Sequence, residues 1–202
     1  SQTAKPYDII YSDDFSTDNS VEIASKYKEV TVISHTEHTG VVKARNDGAN
    51  HSKGDALVFL DGDDKMPKDF LAKHLQALDK STPFVYCAAQ AFGMRNHLWT
   101  VSAWGTLFLW NRNFVNTSAM MNRWAFEKAG GWQETCEITM WDWSLALRMS
   151  RLGTPRKSPA ILLYRQHSES WSLSHELDAH SNRIIDICEN VRRELVNVSI
   201  GL

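Results

Sequence analysis

The sequence predicts an α/β fold in which a mostly parallel sheet is flanked by helices on both faces, in three α/β/α layers. Short apolar strands alternate with helical segments through residues 1–90. Acidic clusters follow two of these strands, at the carboxyl edge where ligands bind in such sheets. All eight tryptophans come after residue 98, so a regular scaffold precedes an aromatic-rich half. These observations predict a single domain with a ligand site at the sheet edge.

The first half of the chain carries alternating strands and helices. Apolar, β-branched runs predict strands, and apolar residues that recur on one face predict helices. In chain order they are strand 8–12, helix 21–27, strand 30–34, helix 41–52, strand 56–60, helix 68–80 and strand 85–89. Asp18 or Ser20 is placed to cap the first helix, Gly54 to close the second, and Pro67 to begin the third.

The second half is less regular and holds three predicted helices. Helix 123–129 ends at Gly130-Gly131, and helix 141–151 ends at Gly153. A last amphipathic helix is predicted at 175–195, where Ile184, Ile187, Val191 and Leu195 share one face. No linker or repeat divides the 202 residues, which therefore form one domain.

The amino-acid composition excludes several classes of protein. With 43% hydrophobic and 23% charged residues, the chain has the profile of a globular domain. A net charge of −2 gives no reason to expect a nucleic-acid partner. The three cysteines are odd in number and widely spaced, which argues against a disulfide framework or a zinc site and favours a cytoplasmic location.

An acidic cluster follows the predicted strand 56–60. Asp61, Asp63 and Asp64 repel one another unless a cation or protons neutralise them. Carboxylate oxygens are the ligands that Mg²⁺ and Mn²⁺ prefer, and a metal held there would bridge to a diphosphate. The alternative is a solvated turn in which Asp64 lies near a helix start. The preceding strand and the second acidic strand end, Asp13-Asp14, favour the metal site.

Five short segments in chain order form a recognisable set. They are DDFSTDNS at 13–20, Gly40 followed by ARNDG at 44–48, FLDGDD at 59–64 followed by Pro67, GGW at 130–132 followed by Asp142, Leu147-Arg148 and Gly153, and YRQH at 164–167. Together they resemble the motifs of the family 2 glycosyltransferases, which have the GT-A fold. The last segment is similar to one in rhamnosyltransferase-like members. One short motif is weak, but five in the same order and spacing are specific.

The resemblance implies that a sugar is transferred, with inversion, from a nucleotide-diphosphate sugar to the hydroxyl of a saccharide or lipid-linked acceptor. Mg²⁺ or Mn²⁺ would assist, in the assembly of a cell-surface polysaccharide or glycoconjugate. The implied location is the cytoplasm, including the inner face of the membrane. Residues 1–90 would bind the nucleotide sugar and the metal, and residues 91–202, with the C-terminal helix, would form the acceptor side.

The resemblance also implies roles for residues on the donor side and for a base. Asp14 would lie near the nucleoside, supported by Asp13, and Arg45 near the phosphates or the sugar. Asp142 would be the general base, because a sugar hydroxyl is a poor nucleophile and a positioned carboxylate must take its proton. Without the resemblance, Asp142 is an ordinary carboxylate at a helix N-terminus.

The implied metal site uses the acidic cluster. Asp61 and Asp63 would form the metal motif, with Asp63 as the direct ligand and Asp64 beside it, and Asp61 would also face the donor. His167, in the YRQH segment, would contact the diphosphate or complete the metal shell.

The sequence departs from the family pattern at the base. Trp141 stands where the family has Glu, and Ser144 stands where it has Asp. If that Glu contacts the acceptor, acceptor recognition differs in this chain. An indole beside Asp142 would also raise the pKa of its carboxyl group by desolvation.

A second departure lies at the start of the chain, where the family's first strand and helix are missing. That strand would lie between strands 8–12 and 56–60, and its absence would expose two apolar strand edges. Either the two strands pair directly or a partner chain covers them, as a homodimer would. An alternative function follows: a truncated or vestigial domain that binds a nucleotide or a metal without turnover.

Aromatic side chains are candidates for the acceptor platform, because indole faces stack on sugars. The candidates are Trp104, Trp110 and Trp141; burial in the core is the alternative for most of the tryptophans. Two other enzyme classes have less support. A phosphohydrolase with Asp61 or Asp63 as nucleophile lacks its supporting motifs, and a dinucleotide enzyme lacks GxGxxG.

Overall fold

The structure, a computed structural model, describes residues 1–105, 113–134 and 141–168. Within these ranges the strands are β1 (Ile9–Asp13), β2 (Val30–Ser34), β3 (Ala56–Val58), β4 (Phe84–Gly93), β5 (Leu98–Trp99), β6 (Met120–Asn122) and β7 (Arg156–Gln166). The helices are α1 (Ser20–Ser25), α2 (Val41–His51), α3 (Phe70–Ala77), α4 (Arg123–Lys128) and α5 (Trp141–Ser150). Trp110 and the predicted helix 175–195 lie outside the described residues.

The described strands form two sheets. β1 and β2 pair in parallel, with Ile9 opposite Val30. In the second sheet β4 is central: β6 and β5 pair antiparallel with successive parts of one edge, and β7 pairs in parallel along the other. β3 pairs antiparallel with β6 on its far side. The predicted α/β class is confirmed, and the strand pairing is mixed.

The two faces of β4 pack against different helices, which gives the predicted three layers. Successive side chains of a strand point to opposite faces. Phe84 and Tyr86 belong to a core cluster with residues of α2, α4 and α5. Cys87 and Ala89 belong to a second cluster with Phe70 of α3 and with residues of β7. The five-stranded sheet is therefore covered on both sides.

Most predicted elements of the first half are confirmed, within a few residues at their ends. The predicted strand 56–60 is shorter, because β3 ends at Val58. After it the Phe59 ring packs against Phe126 and Trp132, with ring centroids 5.7 and 5.1 Å away. The predicted helix 68–80 is also shorter and corresponds to α3, whereas strand 85–89 is longer and corresponds to β4.

Strand β7 was not predicted, because its sequence contains Pro159 and several charged residues. Proline cannot donate a ladder hydrogen bond and is tolerated in a strand at a bulge. The β4–β7 register places Tyr86 opposite Lys157 and Ala88 opposite Ile161, so one residue of β4 faces three of β7. Pro159 lies in this bulge, which lets the strand continue to Gln166.

Strands β1 and β3 do not pair with each other in this structure. β1 has β2 as its partner and β3 has β6, and the two sheets remain separate. Direct pairing of the two strands, one of the two expected outcomes, is therefore wrong. Several apolar side chains of the first sheet and its helix stay exposed, among them Ile9, Ile23 and Tyr27.

Among the helices in the described ranges, none is long and apolar enough to cross a membrane.

Candidate functional site

The carboxylate of Asp14 anchors the loop that leads into α2. Its Oδ1 accepts hydrogen bonds from the backbone N–H of Thr39 at 2.7 Å and from the Thr39 hydroxyl at 2.9 Å. Its Oδ2 accepts one from the N–H of Gly40 at 2.9 Å and lies 2.5 Å from Nδ1 of His38. Burial raises the pKa of Asp14, but the bonds from Thr39, His35 and Gly40 outweigh it, so the net shift is downward. Asp14 is thus an ionised side chain held at the N-terminus of α2.

The ring of His35 ties the end of β1 to α2. Its Nδ1 lies 3.2 Å from Oδ1 of Asp14, and its Nε2 lies 3.0 Å from Oδ2 of Asp47. Lys43 donates to the same oxygen of Asp47 at 2.6 Å and is the largest cause of the lowered pKa of Asp47. His35 and Asp47 were not predicted as site residues, because their contacts join a loop to a helix and follow no motif spacing.

Asp13, the last residue of β1, shapes the turn that follows. Its Oδ2 accepts the N–H of Ser16 at 3.0 Å, and Phe15 within this turn has a φ of 67°. The Asp13 side chain is buried, and its Oδ1 has no hydrogen-bond partner among the described residues.

A two-way contact joins the ARNDG motif to the GGW motif. The side-chain amide of Asn46 donates to the carbonyl of Trp132 at 2.8 Å and accepts the Trp132 N–H at 3.0 Å. Gly131 has a φ of 64°, and a Cβ there would lie 2.8 Å from Oδ1 of Asn46. Only glycine permits this approach without strain. The contact places the Trp132 ring over the guanidinium of Arg45, with Cζ 4.9 Å from the ring centroid.

Arg45 connects the acidic cluster to the start of α5. Its Nη2 lies 2.5 Å from Oδ1 of Asp61, and its Cζ lies 5.9 Å from the centroid of the Trp141 ring. Burial raises the pKa of Asp142, and the charge of Arg45 offsets part of this increase. The Arg45 side chain is 12% exposed, and its buried Nη1 has no hydrogen-bond partner among the described residues. A desolvated guanidinium with an unused donor suits an anionic ligand.

The acidic cluster forms a tight turn that the end of β7 holds in place. The N–H of Asp64 donates to the carbonyl of Asp61 at 3.0 Å. The N–H of Arg165 donates to Oδ1 of Asp64 at 2.8 Å, and its Nε donates to the carbonyl of Asp63 at 2.9 Å. Nε2 of His167 lies 3.2 Å from Oδ2 of Asp63. The structure therefore places the His167 side chain beside Asp63 of the acidic cluster.

These residues fit a metal that a diphosphate would share, and they do not fit a closed protein cage. In the part of the chain that the structure describes, no three His, Cys, Asp or Glu side chains are grouped to hold a metal. Asp61 is paired with Arg45, and Asp64 is buried. Asp63 and His167 are both 42% exposed and lie side by side. Mg²⁺ is commonly held by one or two protein carboxylates together with phosphates and waters, so Asp63 is the member of this pair that suits it, whereas the imidazole of His167 suits softer divalent metals.

Burial, together with the charges of Asp63 and Asp61, raises the pKa of Asp64 to about 7, although the hydrogen bond from the N–H of Arg165 acts in the opposite direction. The ordinary value of this pKa is 3.8, so between these two values the folded state binds more protons than the unfolded state. Stability therefore falls as the pH rises from about 4 to about 7 and stays reduced above that.

We expect Asp64→Asn to stabilise the metal-free protein by about 2–4 kcal/mol at about pH 8 and to have little effect at about pH 4. The amide removes the buried charge and still offers an oxygen to the N–H of Arg165. Thermal unfolding with a chelator present, at both pH values, measures the difference. A variant less stable than the wild type at the higher pH would show that another group neutralises Asp64.

Asp142 lies in the first turn of α5, with both carboxylate oxygens in contact with donors. Oδ1 accepts the backbone N–H of Trp143 at 2.7 Å, and Oδ2 accepts the side-chain N–H of Asn113 at 3.0 Å. Burial raises the pKa of Asp142, and the two hydrogen bonds and the charge of Arg45 offset part of this increase. The direction agrees with the desolvation expected beside Trp141.

The acceptor candidates differ in their surroundings. Trp104 packs among the rings of Phe84, Tyr86 and Phe114, with centroids 6.0, 6.1 and 6.1 Å away, so its ring is part of the core. Trp141 is partly buried against Arg45. Trp110 lies outside the described residues. Among the described tryptophans, the large exposed side chains are Trp99 and Trp124.

Several known proteins are similar in sequence to part of this chain. A 91-residue stretch is 36% identical to an uncharacterized glycosyltransferase of Haemophilus influenzae and covers 44% of this chain and 31% of that protein. A 90-residue stretch is 32% identical to the putative teichuronic acid biosynthesis glycosyltransferase TuaG of Bacillus subtilis, covering 42% and 36%. A 72-residue stretch is 39% identical to a poly(ribitol-phosphate) beta-glucosyltransferase of Bacillus spizizenii, covering 33% and 11%. The matched part thus spans about a third or less of these relatives.

The fold and the family are both established by these comparisons. The crystal structure of S. aureus TarS 1-349 superposes with a TM-score of 0.65 at 16% identity, over 78% of this chain and 51% of that one. This likeness confirms the GT-A fold expected from the motifs. The family model described as "Glycosyl transferase family 2" matches residues 1–135. The chain belongs to glycosyl transferase family 2.

Proposed function

We propose that the chain is the catalytic core of an inverting, metal-assisted glycosyltransferase. It moves a sugar from a nucleotide-diphosphate sugar to the hydroxyl of a saccharide or lipid-linked acceptor. The observation that carries the proposal is the position of Arg45, which pairs with Asp61 of the acidic cluster and lies against Trp141, next to the proposed base Asp142. These contacts between separate motifs support a donor site and a base that lie close together.

The donor would lie along the carboxyl ends of β1 and β3. Asp13 ends β1 and Asp14 follows it, and Asp13 keeps a buried oxygen without a partner among the described residues. Arg45 offers its unused buried Nη1 to a phosphate or sugar oxygen. Such donors stabilise the negative charge that develops on a departing diphosphate.

A divalent cation fits the pair formed by Asp63 and His167, together with diphosphate oxygens. Its chemistry when bound would be to neutralise the leaving group. Oδ1 of Asp61 is paired with Arg45 in this structure, so Asp61 would bind a metal either through its other oxygen or after Arg45 had moved toward the donor. Asp64, whose Oδ1 accepts the N–H of Arg165, would fix the turn.

Asp142 would accept the proton of the acceptor hydroxyl as that oxygen attacks the anomeric carbon. Its raised pKa suits a base, because proton transfer is most efficient when the pKa of the base approaches the working pH. Attack from the side opposite the leaving group gives inversion. Trp141, beside the base, would contact the acceptor where other family members have Glu.

The relatives suggest the class of acceptor. The names of two of them refer to teichuronic acid biosynthesis and to poly(ribitol-phosphate). By analogy, we infer that this chain acts on a cell-surface polymer or its lipid-linked precursor, in the cytoplasm or at the inner face of the membrane.

A domain that binds a nucleotide without turnover is the second candidate function. Two observations favour it: Asp14 already has protein donors on both oxygens, and the β1–β2 sheet is separate from the sheet that carries the acidic cluster. A ligand of Asp14 would have to displace His38, the exposed partner.

Calorimetric titration of UDP, GDP and dTDP, each with and without Mn²⁺, tests the proposal. We expect one nucleotide to bind in a manner that depends on the metal, and the matching nucleotide sugar to be hydrolysed or transferred. Binding without any turnover would favour the second candidate. Failure of all three nucleotides to bind would contradict both.

A further inference from the structure

We propose that Asn113 is a positioning residue that orients the carboxylate of Asp142 and keeps it ready to accept a proton. This inference rests on the proposed role of Asp142 as the base. Asn113 belongs to none of the five sequence motifs, and it reaches the start of α5 from a segment 29 residues earlier in the chain.

The orientation of the Asn113 amide is fixed by its own contacts. Its Oδ1 accepts the backbone N–H of Val115 at 3.1 Å, and its Nδ2 donates to Oδ2 of Asp142 at 3.0 Å. A flipped amide would place N–H against N–H and oxygen against carboxylate, so the contacts select one orientation. Val115 is 5% exposed and packs in the main core cluster, which gives the amide a rigid support.

The second oxygen of Asp142 is held independently, by the Trp143 N–H at 2.7 Å. Two donors on different oxygens fix the plane of the carboxylate. Each of them can use one lone pair of its oxygen, and the remaining lone pairs can receive the acceptor proton. The position of a base relative to its substrate strongly affects the rate, so a fixed plane favours catalysis.

The same contact favours the ionised form of the base. Burial raises the pKa of Asp142, and the hydrogen bonds from Trp143 and Asn113 and the charge of Arg45 act in the opposite direction. Arg45 is the charged side chain that faces this carboxylate from α2. Loss of the Asn113 donor should therefore shift the acid limb of the activity profile to higher pH.

Asn113→Asp separates the positioning role from a structural one. The new carboxylate keeps an oxygen for the Val115 N–H, so the turn is retained, but it removes the donor to Asp142 and adds a like charge. Asn96→Asp is the matched control, because Asn96 is exposed, lies on another part of the chain and accepts a hydrogen bond from Gln90. Asn113→Ala, which removes both contacts, is the second variant in case Asn113→Asp does not fold.

Three readouts are compared in the whole chain: the titration of the Asp142 carboxyl carbon by NMR, assigned with Asp142→Asn; the melting temperature; and the pH profile of donor turnover. For Asn113→Asp we expect the Asp142 titration and the acid limb to move upward together by about one pH unit or more. We also expect kcat to fall about ten-fold or more near neutral pH, with the KM for the donor unchanged. Asn96→Asp should resemble the wild type in all three readouts.

The outcomes distinguish failure of the inference from failure of the proposed function. An unchanged Asp142 titration, or a drop in melting temperature with no movement of the acid limb in both Asn113 variants, would overturn the positioning role. A wild-type chain that binds the nucleotide but turns over no donor would overturn the proposed activity and the positioning role with it, whatever the NMR titration shows.

Discussion

Asp142→Asn is expected to lower the rate of sugar transfer by about 10²–10⁴-fold. The amide has the size of the carboxylate but cannot take the proton of the acceptor hydroxyl. Donor affinity should stay within about two-fold of the wild type, because the proposed donor contacts lie on β1, α2 and the acidic cluster. Initial rates of transfer and calorimetric binding of the nucleotide, measured on the same preparation, separate the two effects.

The control for this experiment is the exchanged pair, Asn113→Asp combined with Asp142→Asn. It keeps one amide and one carboxylate at the 3.0 Å contact, so the fold around α5 should be preserved. The carboxylate is now on residue 113 and not on residue 142, however, so we expect the rate of transfer to remain low. If Asp142→Asn alone keeps more than about a tenth of the wild-type rate, Asp142 is not the general base.

Local motifs allowed the positions of both acidic clusters in the fold to be predicted. An apolar strand followed by carboxylates is visible in a few consecutive residues, and it placed Asp13, Asp14 and the acidic cluster at strand ends. The fold class followed from the same alternation of strands and helices. The family resemblance suggested that His167 lies near the diphosphate or the metal. In the structure its ring is beside Asp63.

Contacts between distant segments could not be read from the sequence. The amide of Asn46 holds the backbone of Trp132, 86 residues away, and this contact places the indole over Arg45. Asn113 reaches Asp142 in the same way. Asn46 lies within α2, and Asn113 lies outside the helices and strands. In neither case do the neighbouring residues in the sequence indicate which residue the side chain contacts.

Local sequence patterns also did not predict how deeply each carboxylate of the acidic cluster is buried. Asp61, Asp63 and Asp64 look equivalent as three carboxylates of one turn. In the structure Asp64 is 9% exposed and accepts the N–H of Arg165, whereas Asp63 is half-exposed beside His167. The difference in burial between Asp64 and Asp63 depends on contacts with β7. This strand was not predicted, because its sequence contains a proline and several charged residues. The residue types therefore predicted the cluster, whereas the different burial of its three carboxylates came only from the structure.

Asp63→Ala is expected to abolish the metal-dependent part of nucleotide binding. If the wild type binds its nucleoside diphosphate at least about ten-fold more tightly with Mn²⁺ than without it, the variant should show the same weak affinity in both conditions. The reason is that Asp63 and His167 are the exposed pair at the end of the acidic cluster, and His167 alone is a poor site for a hard cation. Calorimetry of both proteins with and without Mn²⁺ measures the effect.

Asp69→Ala is the matched control for Asp63→Ala. It removes one carboxylate of similar exposure near the start of α3, where Asp69 pairs with Lys73 at 2.7 Å. We expect Asp69→Ala to respond to Mn²⁺ as the wild type does. If the loss of one negative charge alone weakened the response, Asp69→Ala and Asp63→Ala would be affected alike. If Asp63→Ala keeps the metal response and Asp61→Ala loses it, then Asp61 is the ligand. The metal would in that case bind the oxygen of Asp61 that Arg45 does not contact, or Arg45 would leave Asp61 when the donor binds.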